Sequence, residues 1–162
     1  MTIRQSKIED LASLMEIFAY ARGFMANTGN PNQWINGYPS EELIRQEIEA
    51  GHCFICLNEE DKAVGTFCFI LGDDPTYSYI EEGAWLNNEP YGTIHRLASN
   101  GTEKGVFGAC LKWCAARCKN LRADTYCDNH IVQSLLERNG FRRCGIIYIA
   151  NGTPRIAYHK EV

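Results

Sequence analysis

No stretch of this chain is apolar for long enough to span a membrane, and its opening residues, MTIRQSKIED, hold no apolar signal-peptide core. Neither a membrane span nor a secretory leader is therefore expected, and the expected location is the cytoplasm. An excess of basic charge is missing too. Sixteen Lys and Arg stand against 20 Asp and Glu, for a formal net charge of −4, which argues against a general nucleic-acid surface. Internal repeats, low-complexity tracts and linkers are absent as well. The 162 residues, 45% of them hydrophobic, therefore read as a single domain, residues 1–162, long enough to build a full core.

Cysteine is not scarce. There are eight, but their spacing suits neither a disulfide framework nor a metal. Cys53 and Cys56 are three apart in a strand-like run and point to opposite faces. Cys110, Cys114 and Cys118 follow one another along one helical face, too far along a rigid axis to close a tetrahedral site. Buried free thiols are the expectation, and no metal.

The alternation of residue types gives a definite order of elements. A short strand at 1–5 leads to a capping-box sequence, Ser6-Lys7-Ile8-Glu9, and a helix with Leu11, Leu14, Met15 and Phe18 on its apolar face. The stretch 28–39 is rich in turn formers yet carries Trp34 and Tyr38, so it is either a substrate-contacting wall or a loop tucked onto the core. Ser40 caps a second helix. Residues 52–57 and 63–71 make a hairpin, and 77–85 are expected to extend the sheet. After a break at 87–90 come a strand at 93–98, a Ser-Asn-Gly-Thr turn, and a helix with Val106, Cys110, Trp113 and Cys114 at three- and four-residue spacing. A strand, a helix opening at Asn129, and a hairpin closed by Asn151-Gly152 complete the chain. The fold class is α/β (α+β), a mixed central sheet flanked by helices.

Strand, glycine-bearing turn and helix start in 93–118 (TIHRLASNGTEKGVFGACLKWCAARC) form an anion site in principle, because the first N–H groups of a helix lack intrahelical partners. An ordinary strand-to-helix crossover has the same spacing. The stretch resembles the coenzyme A motif of the GNAT family of N-acetyltransferases: Gln or Arg, two residues, Gly, one residue, Gly or Ala, then a helix. Gly105 matches the first glycine, while Thr102 replaces the basic or amide residue and Phe107 the second small one. A register shifted by one makes Gly108 the second glycine but puts Val106 at the first and Glu103 at the basic position; the first register is preferred. The segment 121–141, LRADTYCDNHIVQSLLERNGF, resembles the second signature of the family, with Asn129 opening the helix and Glu137-Arg138-Asn139-Gly140-Phe141 closing it.

This resemblance implies a GNAT-like fold in which the strand at 93–98 and the one after the crossover splay apart around acetyl-CoA as cosubstrate. It implies that backbone groups of Leu97, Ala98 and Ser99 pair with the pantetheine arm. Glu103, Lys104, Gly105, Val106, Phe107 and Gly108 would surround the pyrophosphate, and Asn129 the lower part of the cosubstrate. The tyrosine usual as the acid falls at Leu136, which cannot donate a proton. Candidates for proton transfer are then His95, leading as base, with Tyr126, Glu81 and Glu82. Each of these polar residues also reads as simply solvated. Trp34 and Tyr38 are candidates for substrate binding. The function implied is transfer of an acetyl group to a primary amine of a small molecule or peptide; the alternative is a non-catalytic acyl-CoA-binding module. The resemblance is compatible with a homodimer.

Overall fold

Seven strands form one mixed sheet in the order β1-β2-β3-β4-β5-β7-β6. The computed structural model describes residues 1–162. Its elements are β1 (Thr2–Gln5), α1 (Leu11–Asn27), α2 (Glu41–Glu49), β2 (Cys53–Leu57), β3 (Ala63–Leu71), β4 (Gly92–Ser99), α3 (Val106–Ala115), β5 (Asn120–Thr125), α4 (His130–Arg138), β6 (Arg142–Tyr148) and β7 (Pro154–Glu161). All neighbours pair antiparallel except β4 and β5, which are parallel. That one parallel pair needs a crossover, which α3 supplies.

Strand alternation sorts the apolar residues into two layers. Leu11, Leu14, Ile17 and Phe18 of α1, with Ile44 and Ile48 of α2, pack on Cys53, Ile55, Cys68 and Ala98. Cys110, Leu111 and Cys114 of α3, with Leu136 of α4, pack on Cys56, Phe67, Phe69, Ile94 and Leu121. Each fully buried Leu, Ile or Phe contributes about 1.5–3 kcal/mol relative to an exposed one. Cys53 and Cys56 fall in opposite layers, as their spacing requires. All eight thiols are free, though Cys118 is half-buried and Cys127 exposed.

Two local expectations need correction. A single turn of tighter helix, Ile8–Asp10, precedes α1, and the carboxylate that reaches back is Asp10, which accepts from the Lys7 N–H at 2.7 Å. The reach-back pair is thus Lys7 and Asp10, because Asp10 is also held by Arg4 at 2.7 Å. The stretch 77–85 makes no strand. It touches the sheet only through an isolated bridge between Glu81 and Ile146. Glu82 sits at φ 58°, left-handed, and turns the chain away before pairing can extend.

Tyr77, Tyr91, Ile147 and Ala157 form a smaller cluster that holds the connection between β3 and β4 against the β6–β7 half. His159 lies buried beside it. Its Nδ1 accepts from the Leu86 N–H at 3.3 Å, and Nε2 lies 3.0 Å from Asn120 Oδ1. Burial, helped by the nearby Arg122 charge, holds this imidazole down at about 4. An unfolded histidine takes up its proton near pH 6.5, so between those values the unfolded chain binds the extra proton. The stability that neutral His159 provides should therefore be complete above about pH 6.5 and fall as the pH drops toward 4. Urea midpoints between pH 7.5 and 4.5 for wild type and His159→Gln check this: the variant should be less stable at neutral pH and lose less on acidification.

Candidate active site

The sheet opens at its centre. β4 pairs with β5 only from Gly92–Leu121 to Ile94–Ala123, and beyond these residues the two strands diverge. The β5-facing edge of β4, from His95 to Ser99, thereby lacks a strand partner. A bulge lies in the same stretch. Thr66 faces Ala98 while Cys68 faces His95, so Arg96 and Leu97 together oppose Phe67. Arg96 takes φ 53°, a left-handed conformation for a residue with a Cβ. Bulges re-aim side chains and interrupt pairing.

Two cavities meet at this opening. The first, about 320 Å³, is mostly apolar and lies among α1, α3, α4 and the splayed strands. Leu97, Ala98, Ser99, Phe107 and Asn129 line it, and Leu136 closes part of its wall. Gly105 precedes α3 in a left-handed conformation (φ 81°), and no side chain caps the helix. The N–H groups of Val106, Phe107 and Gly108 are left free for an anion, since the first intrahelical bond runs from Ala109 to Gly105. Lys104 is exposed at the same turn. The Glu103 carboxylate faces elsewhere, accepting from Asn58 at 2.8 Å, and the Val106 side chain is core.

The second cavity, about 610 Å³, is polar and opens toward the β6–β7 turn. His95, Tyr126, Trp34 and Tyr38 all line it, along with Asp74, Asp124 and Arg155. Gln33, Trp34, Arg96 and Asp124 border both cavities and mark where they join.

His95 does not stand alone. Its Nε2 is 3.0 Å from Asp74 Oδ2. Asp74 opens a turn of tight helix (Pro75–Tyr77), where Oδ1 accepts from the Thr76 N–H and hydroxyl, leaving Oδ2 for the imidazole. Burial alone raises this carboxyl. The hydrogen bonds from His95 and Thr76 outweigh it and hold the group at about 2. An ionised carboxylate only accepts, so the network assigns the proton of His95 to Nε2 and the lone pair to Nδ1. Nδ1 has no hydrogen-bond partner in the protein. Tyr77, buried so that its phenol is pushed well above the ordinary value, donates to Asp124 at 2.6 Å.

The stretch 28–39 is both tucked and exposed to the cavities. Trp34 packs edge-on against Phe18 at 5.8 Å. Gln33 Oε1 accepts from Asn129 and Asn30, each at 2.9 Å, while Asn129 Oδ1 caps α4 through the Val132 N–H. Tyr38 accepts from Arg96 Nε at 2.8 Å. Glu81 and Glu82 lie outside both cavities. Glu81 is held on the outer surface by the hydroxyls of Tyr79 and Tyr148. Asp74, Gln33, Asp124 and Arg155 had no distinguishing sequence signal beyond the Asp-Pro-Thr turn pattern around Asp74.

No protein-family model and no curated protein matches the sequence. Solved structures do match. A GNAT-family acetyltransferase from Streptococcus agalactiae superposes with a TM-score of 0.87 at 27% identity, covering 99% of this chain and 95% of that one. A GNAT-family acetyltransferase from Listeria monocytogenes gives 0.73 at 17% identity, covering 99% and 94%. The ribosomal-protein-alanine N-acetyltransferase from Brucella melitensis gives 0.66 at 16%, covering 100% of both chains. The last two speak for the fold only. With the splayed strand pair, the two motifs in order and a whole-length match at 27% identity, this chain has the fold of the GNAT-type acetyltransferases and is similar to them over its whole length.

Proposed function

We propose that the protein transfers an acetyl group from acetyl-CoA to a primary amine of a small molecule, across the junction of the two cavities. The observation that carries this is the pairing of an apolar cleft, ending at an uncapped helix, with a polar cavity holding an Asp74-braced imidazole. The apolar cleft suits the pantetheine arm, whose amides would pair with the free edge of β4 at Leu97 to Ser99. The free N–H groups of α3, with Lys104, suit the pyrophosphate. The bulge opposite Phe67 interrupts the ladder at Arg96 and Leu97, and a backbone N–H freed there would stabilise negative charge on the carbonyl oxygen.

An amine attacks only as the free base. The Nδ1 lone pair of His95 takes the proton, directly or through one water, while the Asp74 carboxylate stabilises the imidazolium that results. Leu136 supplies no proton to the departing thiolate, which is a weak base and leaves without a dedicated acid. Tyr126 lines the acceptor cavity and would contact the substrate.

The apolar Leu136 favours one other reading, a binding module that holds acyl-CoA without turnover. A panel of primary amines incubated with acetyl-CoA separates the two. Acetylated product should be followed by mass, because the exposed Cys127 thiol adds background to thiol-reactive dyes. Product from at least one amine is expected. Tight acetyl-CoA binding with no product from any amine would establish the module.

A further inference from the structure

The charged groups facing the acceptor cavity are nearly all matched. His95 is matched by Asp74 at 3.0 Å, Arg96 by Glu47 at 3.3 Å and by the Tyr38 hydroxyl, and Asp124 by the Tyr77 hydroxyl at 2.6 Å. Arg155 is the exception. It opens β7 at the far side of the cavity and is only 6% exposed. Its Nη1 donates to Thr153 Oγ1 at 3.1 Å and to the Pro154 carbonyl at 2.9 Å. Its Nε and Nη2 have no partner in the protein, and no carboxylate lies within ion-pair distance of it. The Tyr126 ring lies 4.9 Å from the guanidinium carbon and fixes one face. Desolvation lowers the pKa of this group from its ordinary value, and the Asp124 charge, too far away for an ion pair, opposes it only in part.

Burying a cation without a directly paired counter-charge is costly, and the fork of a guanidinium matches a carboxylate in two parallel hydrogen bonds. We propose that Arg155 receives an anionic group of the acceptor, so that the acceptor is a small amino-acid-like zwitterion with its amine at the junction and its carboxylate at Arg155. This rests on the acetyl-transfer reading above. The placement of charge agrees. Asp124 borders both cavities and offers negative charge where the amine must meet the thioester, whereas Arg155 borders only the acceptor cavity. Thr153, Asn151 and Ala150 of the β6–β7 turn wall the anion end, so the length of this turn sets which side chains fit.

The test uses α- and ω-amino acids, each beside its carboxamide, which keeps the amine and removes the anion. In acetylation assays on the intact protein, acids should exceed their amides in kcat/KM by about 10²-fold, mostly through KM, as a desolvated charge-assisted pair implies. Arg155→Gln should bring the acids down to the amides, and Arg155→Lys should restore part of the difference, with the KM for acetyl-CoA unchanged. Amides used as well as or better than acids by the wild type overturns the proposal whatever the variants do. Calorimetric titration of the same acids and amides into the CoA-loaded protein separates this from failure of the acetyl-transfer reading. Acids that bind while amides do not, with no acetylated product, uphold Arg155 and remove the catalysis. Absence of acid binding and of acid acetylation removes Arg155.

Discussion

Replacing His95 with alanine should lower kcat by about 10²–10⁴-fold, the usual scale of general-base assistance, while acetyl-CoA affinity stays near wild type. The separation follows from geometry. His95 lines only the polar cavity, and the groups expected to hold the cosubstrate are backbone N–H groups of β4 and α3 and the apolar wall of the other cavity. Asp74→Asn gives a second view of the same device. The amide is neutral and can donate, so it permits the proton of His95 to move to Nδ1 and removes the lone pair that the reaction needs. Its kcat should fall with little change in either KM, and part of the activity should return in Asp74→Glu. An alanine variant with full activity would transfer the role to Asp124, the carboxylate that borders both cavities.

How far such a site can be read from sequence depends on how local its contacts are. The turn at 99–105, the start of α3 and the Asn129 cap depend on neighbours within a few residues, and the pattern of Gly, Asn and apolar spacing points to them directly. The sheet order follows from alternation plus one crossover helix. The partners in the proposed catalytic pair are not local. Asp74 meets His95 across 21 positions, and Gln33 meets Asn129 across 96. Asp74 belongs to a turn whose local logic, an aspartate bonding to Thr76, fully accounts for one of its oxygens. Nothing in that pattern reveals the use of the other. Glu81 and Glu82 were attractive because they precede β4 in sequence. The intervening chain instead crosses to β6, where Glu81 pairs with Ile146 through its backbone and with Tyr79 and Tyr148 through its side chain. Arg155 read as one residue of a final strand. Only the closed sheet shows that this position faces a cavity whose other charges are already matched.

The largest effect on cosubstrate binding should come from Gly105→Asp. Gly105 holds φ 81° at the residue before α3, a conformation that costs glycine nothing and other residues roughly 1–2 kcal/mol. A Cβ there would meet no atom within 4 Å, so a small side chain fits and any loss is not a packing clash. Beyond it lie the free N–H groups of Val106, Phe107 and Gly108, whose dipoles favour negative charge. A carboxylate at this position would occupy the same field and repel the phosphates. At about 5 Å and an effective dielectric constant near 20, one pair of unit charges interacts with roughly 3 kcal/mol, so acetyl-CoA affinity should fall by about 10²-fold or more. Gly105→Asn is the matched control: it has the same shape, tolerates left-handed backbone better than most residues, and carries no charge. Its affinity should fall by less than about tenfold, and both variants should keep the wild-type circular dichroism spectrum. Calorimetry at two salt concentrations completes the test, because a charge effect between exposed groups shrinks as salt rises. Equal affinities for the Asp and Asn variants, or an Asp variant as tight as wild type, would place the pyrophosphate somewhere other than the start of α3.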